Sequence, residues 1–191
     1  MRIISGSLKG RSISVPKNFK GRPTTDFARE GLFNVLNHLV DFHQLDVLDL
    51  FSGTGAFAIE CFSRGADRVT CVEMQSLHVK FISDNFKQFD VRNGVALKQD
   101  VFKYVQQCTQ KFDLIFADPP YDLQRLAELP DLIFKHGLLH EDGLIILEHP
   151  KQHNFEQHPH FLQEKRYSNV HFSFFRNNTA ELNEDESDDN P

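Results

Sequence analysis

The chain has 191 residues, 40% of them apolar and 25% charged, with a mean hydropathy of −0.42. That size and balance predict one compact α/β domain with a sizeable core. Apolar runs such as Leu144 to Leu147 are too short to cross a bilayer, and Met1-Arg2-Ile3-Ile4-Ser5-Gly6 turns polar before a secretory core could form, so neither a membrane nor an export route is expected. Cys61, Cys71 and Cys108 show no Cys-x-x-Cys spacing and read as reduced thiols of a cytoplasmic protein.

The net charge of −6 is unevenly spread. Arg2, Lys9, Arg11, Lys17, Lys20, Arg22 and Arg29 face only Asp26 and Glu30 in the first 30 residues, a balance of +5. The last 11 residues carry six acids and no base. Screening limits electrostatics to roughly 8 to 10 Å, so a basic amino-terminal arm on an acidic body remains a workable footprint for nucleic-acid phosphates.

In chain order, Arg2 to Leu8 and Arg11 to Val15 predict a hairpin turning at Lys9-Gly10. Pro23-Thr24-Thr25-Asp26 starts a helix running to about Leu39, with Phe27, Leu32, Val35, Leu36, Leu39 and Val40 expected on its apolar face; Gly31 inside it costs about 1 kcal/mol relative to Ala. Short apolar runs then alternate with amphipathic stretches, the signature of a parallel sheet wrapped by helices. Strands are predicted near Asp46 to Phe51, Arg68 to Glu73, Gly94 to Gln99, Phe112 to Asp118 and Gly143 to Glu148, with helices over 55–64, 75–89, 101–107 and 123–137. Phe161 to Tyr167 and Val170 to Arg176 read as an antiparallel pair joined by Ser168-Asn169. The division expected is a basic extension over 1–25, a main domain over 26–176 and a disordered acidic tail over 177–191.

Asp49-Leu50-Phe51-Ser52-Gly53-Thr54-Gly55 joins the first buried strand to a helix, with two glycines where a ligand would approach backbone amides. Gly53-x-Gly55-x-x-Ala58, with Glu73 twenty residues past Gly53, also satisfies a dinucleotide fingerprint, so an NAD-dependent oxidoreductase is a competing reading. Charge separates the two. Asp49 beside the loop would repel a pyrophosphate but attract the ammonium and sulfonium of S-adenosylmethionine. Glu73 is placed for ribose hydroxyls and Asp100 for an adenine amino group.

Asp118-Pro119-Pro120-Tyr121 follows the fourth apolar run. An exocyclic amine on a base is a poor nucleophile, because its lone pair is delocalised into the ring. Acceptors on its two hydrogens turn that lone pair out of conjugation: the Asp118 carboxylate is one, the Pro119 carbonyl a second, and Tyr121 can stack on the base. A carboxylate only accepts, and guanine offers an amino group beside a ring N–H, so the tetrad leans toward guanine N2 while leaving adenine N6 open. His149, His153, His158 and His160 lie close together, but interrupting prolines and the lack of a cysteine partner speak against zinc, and no metal is expected.

These motifs resemble the bacterial small-subunit (16S) rRNA guanine-N2 methyltransferases of the RsmD type, from Arg2 to about Arg176. The resemblance rests on Arg2-Ile3-Ile4-Ser5-Gly6 with Lys9-Gly10-Arg11, on Arg22-Pro23-Thr24-Thr25-Asp26 with Arg29-Glu30 and Leu32-Phe33-Asn34, on the Leu48 to Gly55 loop and on Asp118 to Tyr121. It implies a Rossmann-like class I S-adenosylmethionine-dependent methyltransferase with a seven-stranded sheet of order 3-2-1-4-5-7-6. Cofactor contacts are expected at Asp49, Phe51, Ser52, Gly53, Gly55, Glu73, Met74, Asp100 and Val101, catalysis at Asp118, Pro119, Pro120 and Tyr121, and RNA contacts at Lys9, Arg11, Arg22, Thr24, Thr25 and Arg29. The implied partner is 16S rRNA, within an assembled or assembling small subunit, met by a monomer. The chain departs from the family pattern at Phe27-Ala28, usually basic there, at Gly31 and in its acidic tail. Two further alternatives are a DNA adenine methyltransferase, for which little room is left for target recognition, and a non-catalytic ribosome-assembly module.

Overall fold

A computed structural model describes residues 1–15 and 26–177. Arg22, Thr24, Thr25 and the acidic tail from Asn178 onward lie outside the described residues. The elements are α1 (Asp26–Leu39), β1 (Asp46–Leu50), α2 (Ala56–Arg64), β2 (Arg68–Glu73), α3 (Ser76–Gln88), β3 (Gly94–Lys98), α4 (Val101–Gln107), β4 (Phe112–Ala117), a single 3-10 turn (Leu126–Glu128), α5 (Leu129–Lys135), β5 (Leu139–His149), β6 (Phe161–Tyr167) and β7 (Val170–Arg176). One seven-stranded sheet has the order β3-β2-β1-β4-β5-β7-β6. The first five strands in that order run parallel, and β7 pairs antiparallel with both β5 and β6.

Residue alternation along the strands sorts the core into two layers. Val47, Val69, Cys71, Leu114, Phe116, Leu144, Ile146, Phe172 and Phe174 face one cluster with Leu32, Phe33 and Leu36 of α1, residues of α2, and Ile82 and Phe86 of α3. Leu48, Leu50, Val72, Ile115, Ala117, Ile145, Leu147 and Phe175 face the other, with Val101, Val105, Leu129 and Ile133 of α4 and α5. Strands covered on both faces are continuous apolar runs for this reason.

Three expectations need correction. The predicted helix over 123–137 splits into the 3-10 turn and α5, because Pro130 in the first turn of α5 starts a new helix there. On α1, Phe27 is 72% exposed while Arg29 is buried. At about 100° per residue, Phe27 lies nearly half a turn away from the stripe of Ala28, Leu32, Phe33 and Leu36. The amino-terminal hairpin forms but is shorter than expected: an antiparallel bridge joins Arg2 and Ser12, Ile3 N–H donates to Arg11 O, Gly10 N–H to Ile3 O, and Met1 and Ile13 exchange backbone bonds. Beyond that short ladder, Ile4 and Ser5 donate their N–H groups to the buried Glu60 carboxylate at 2.7 and 3.0 Å, and Leu8 donates to Ser63 Oγ at 2.9 Å. Ile3, Leu8 and Ile13 thereby join the core beside α2.

Candidate active site

Leu50 pairs with Val72 and Ala117, and Ala117 pairs with Leu147, so β1, β2, β4 and β5 end at one level. Glu73, Asp118 and Glu148 are each one residue further on, and Asp49 one residue earlier than Leu50. Alternation therefore points all four acids to the sheet face that carries α1, α2 and α3. The Asp118 N–H donates to Leu50 O at 3.2 Å, which holds the tetrad against the end of β1.

The glycine loop is built by backbone conformation. Phe51, Gly53 and Gly55 have φ of 59°, 51° and 71°, and the left-handed Phe51 ends β1 one residue earlier than expected. The Gly55 N–H bonds to Ser52 O at 2.7 Å, and a Cβ at Gly55 would sit 3.0 Å from Ile82 Cγ1. The Ser52 hydroxyl donates to Asp49 O at 2.5 Å. Glu73 straps the loop to β2: one carboxylate oxygen accepts from Gly53 N–H at 3.1 Å and the other from Gln75 N–H at 2.9 Å. Each oxygen keeps a second lone pair for a ligand hydroxyl.

Asp49 is 1% exposed, beneath the first turn of α2, where Ala58 N–H and the Cys71 thiol bond to it. Burial, reinforced by the charge of Glu73, pushes its carboxyl up to about 8. In the ligand-free protein the acid is thus protonated near neutral pH, so the simple attraction inferred from sequence requires the ligand's own positive charge to draw out the proton. Burial also pushes the thiols of Cys61 and Cys71 up, which keeps them inert.

Met74 is largely exposed beyond β2. Asp100 caps α4, accepting from Lys103 N–H at 3.0 Å, and Val101 buries its side chain in the core layer of α4 and α5, leaving its backbone as the group that could face a ligand. Within the tetrad, Pro119 is buried and Pro120 exposed, and the Tyr121 hydroxyl donates to Glu148 Oε1 at 3.0 Å. Glu148 is the residue that sequence reasoning missed. Its signal was an acid closing the apolar run Leu144 to Leu147.

The expected RNA contacts divide. Arg29 is turned inward, donating to Arg2 O at 2.7 Å and Asp26 Oδ1 at 2.9 Å, so its role is to tie the amino terminus to α1. Arg11 stacks over Phe89 at 4.6 Å and donates to Gln88 O, at the carboxyl end of α3. Lys9 remains exposed. His149, Glu164 and His171 place donor atoms within 4.8 Å of one another on the other sheet face. His149 bonds to Ser173 Oγ at 2.8 Å and Pro150 O at 3.0 Å, and His171 bonds to Glu164 at 2.6 Å; a metal there would displace these bonds.

A sheet of order 3-2-1-4-5-7-6, a glycine turn after β1 and acids at strand ends on one face define a Rossmann-like methyltransferase of class I. Residues 1–176 match the model of the family described as conserved hypothetical protein 95, and the chain belongs to that family, of the RsmD type. Ribosomal RNA small subunit methyltransferase D of Escherichia coli (strain K12) is 32% identical over 148 residues, 78% of this chain and 74% of that one. YlbH of Bacillus subtilis (strain 168), named provisionally as an rRNA methyltransferase, is 34% identical over 156 residues, 80% of this chain and 84% of that one. Among solved structures, Escherichia coli yhhF, described provisionally as a methyltransferase, matches with a TM-score of 0.80 at 28% identity, covering 92% of this chain and 96% of that one.

Proposed function

We propose that this chain transfers the methyl group of S-adenosylmethionine to the exocyclic N2 amine of a guanine in 16S rRNA, within an assembled or assembling small subunit, as a cytoplasmic monomer without a metal. The observation that carries the reading is the convergence of Asp49, Glu73, Asp118 and Glu148 on one sheet face at the end of a glycine loop. The rRNA methyltransferase names of the relatives support the substrate class.

The residues present suit the donor. An acidic strand edge favours a cation, the left-handed glycines let backbone approach the ligand, and Glu73 is positioned for paired hydroxyls. When bound, S-adenosylmethionine would supply an electrophilic methyl carbon on a sulfonium, whose C–S bond breaks with its electron pair left on sulfur to give the neutral thioether S-adenosylhomocysteine. Asp118 and the Pro119 carbonyl accept the two hydrogens of the target amine and free its lone pair. Asp118 or water then takes the proton of the alkylated nitrogen, which is acidic enough to need no strong base. Tyr121, its hydroxyl held by Glu148, is steadied for stacking on the base. Positioning supplies most of the acceleration, since well-aligned pairs reach effective molarities of about 10⁵ M or more. Arg22, Thr24 and Thr25 belong to this proposal as RNA contacts.

Labelled methyl transfer to small subunits, naked 16S rRNA and DNA, followed by nucleoside mass spectrometry, should yield N2-methylguanosine from small-subunit RNA. N6-methyladenosine in its place would overturn the base assignment. Asp118→Ala should abolish transfer while leaving calorimetric binding of S-adenosylmethionine unchanged, and tight NADH binding instead would refute the methyl-donor site.

A further inference from the structure

α1 descends from the catalytic edge of the sheet along β6, and a groove runs between them. Two contacts fix this direction: Phe27 meets Tyr167 at the start of the helix, and Arg176 donates to Leu39 O at its end. Glu148 pairs with Phe172, and Tyr167 pairs with Val170, so the β6–β7 turn projects past the level of the strand-end acids. Tyr167 stands two strands to the side of Glu148, about 10 Å, and two rungs beyond it, about 7 Å. It shares with Asp118 and Glu148 the sheet face that bears α1, since it packs on Phe172 at 6.0 Å.

The groove is lined by Phe27, Glu30, Gly31, Asn34, Val35 and Tyr167, with His38 at its far end. Phe27, 72% exposed, meets the Tyr167 ring edge to face at 5.9 Å. A Cβ on Gly31 would lie 2.2 Å from Tyr167 Cε1, so only glycine lets that ring lie against the helix. This gives the mid-helix glycine a physical reason. The rim of this aromatic floor carries the polar groups of Glu30, Asn34 and His38.

We propose that the Phe27–Tyr167 groove receives an unpaired base of the substrate RNA, stacked on Phe27, one or a few nucleotides from the target guanine. This rests on the proposed function. An aromatic surface bordered by donors and acceptors is how proteins hold splayed single-stranded bases, and stacking tolerates any base identity. The groove's upper end, with Tyr167 roughly 10 Å to the side of Glu148 on the face that bears the strand-end acids, selects RNA over a protein segment as its occupant. It would also supply a substrate contact at that edge, whereas Arg29 is turned inward and Arg11 is engaged at the end of α3.

The test compares wild type with Phe27→Ala, Phe27→Trp, Phe27→Leu and Gly31→Ala in methyl transfer, S-adenosylmethionine binding and thermal melting. An RNA oligonucleotide spanning the mapped guanine, with 2-aminopurine at each flanking position in turn, reports stacking. Phe27→Ala and Gly31→Ala should raise the KM for RNA about 5- to 100-fold, with kcat and donor binding unchanged. Phe27→Trp should restore it, Phe27→Leu should not, and 2-aminopurine fluorescence at one position should be quenched by wild type but not by Phe27→Ala. Unchanged KM and fluorescence in Phe27→Ala, or full rescue by Leu, would overturn the groove while leaving the methyltransferase reading intact. A KM effect on whole subunits with none on the oligonucleotide would reassign the groove to a ribosomal protein and equally overturn the proposal. Absence of transfer by wild type to any RNA would instead strike the proposed function, and the groove's RNA role with it.

Discussion

Replacing Asp49 by Asn tests the electrostatics of the site without removing its shape. The amide keeps an oxygen for the Ala58 N–H but carries no charge at any pH. In the native protein the Asp49 carboxyl ionises only at about 8, against 3.8 for an unperturbed group. Below 3.8 both folded and unfolded chains hold the proton, and Asp49 adds no pH dependence. Between 3.8 and 8 the unfolded chain has lost the proton while the native chain retains it, so wild-type stability falls as pH rises, by about 1.4 kcal/mol per pH unit. At pH 7 the accumulated cost is about 4 kcal/mol, and above 8 it levels off near 6 kcal/mol. Urea unfolding of both proteins from pH 5 to 8.5 isolates this contribution, since every other titrating group cancels in the difference. The advantage of Asp49→Asn should widen steadily to pH 7.5 and then flatten. A difference that stays constant over that range would show that Asp49 is already ionised in the native state, and the reasoning would fail. The same linkage predicts that S-adenosylmethionine, by drawing Asp49 into its charged form, binds at pH 7 with release of close to one proton, readable by calorimetry in buffers of different ionisation enthalpy.

Gly55→Ala places a Cβ 3.0 Å from Ile82 in a left-handed residue, and should cost about 1 to 3 kcal/mol in urea unfolding while weakening donor binding, as measured by calorimetry. Tyr121→Phe removes the hydroxyl held by Glu148 at 3.0 Å and should lower kcat about tenfold with donor affinity unchanged; an unaltered kcat would remove Tyr121 from the positioning scheme. Gly6→Ala would drive a Cβ to within 1.7 Å of Ser63 O at a φ of 79°, so the segment from Met1 to Val15 should detach from α2 and become open to limited proteolysis, with loss of transfer.

Much of this architecture is written locally. The central strand β4 and the carboxyl half of β5 are apolar runs because both faces are covered, and the Phe112 to Ala117 run predicted β4 to within a residue, whereas the edge strand β3 is partly open, with Val95 exposed. The amino-terminal half of β5 was illegible: His140-Glu141-Asp142 is exposed and reads as a turn, yet Leu139 pairs with Phe112 before the register shifts to Leu114 and Leu144. The amino-terminal hairpin is shorter than its sequence suggests for another reason. Its N–H groups are satisfied by Glu60 and Ser63, more than fifty residues away, and no local pattern records an acceptor so distant. Phe27 and Arg29 exchanged their expected environments because residue type was weighed above helical angle. In the site itself, Asp49, Glu73 and Asp118 were visible as strand-end acids, while their common face emerges only from register.

That common face sets two opposing electrostatic demands on one small protein. A pocket for a sulfonium donor must be acidic, yet an RNA substrate is a polyanion that an acidic edge repels. Burial eases the first demand: Asp49 stays protonated until a cation arrives, so the ligand-free site carries one negative charge fewer than its composition implies. The second calls for contacts at the edge that do not depend on net charge. Stacking on Phe27 and Tyr167 is one such contact, because an aromatic face attracts a base whatever the field around it. Raising salt should therefore weaken RNA binding less steeply than for a protein that holds its substrate through phosphates alone. In Phe27→Ala, affinity should fall by a similar factor at every salt concentration, leaving the slope against log salt unchanged. A slope that changed with the loss of Phe27 would mean that the aromatic ring acts by positioning basic groups rather than by holding a base.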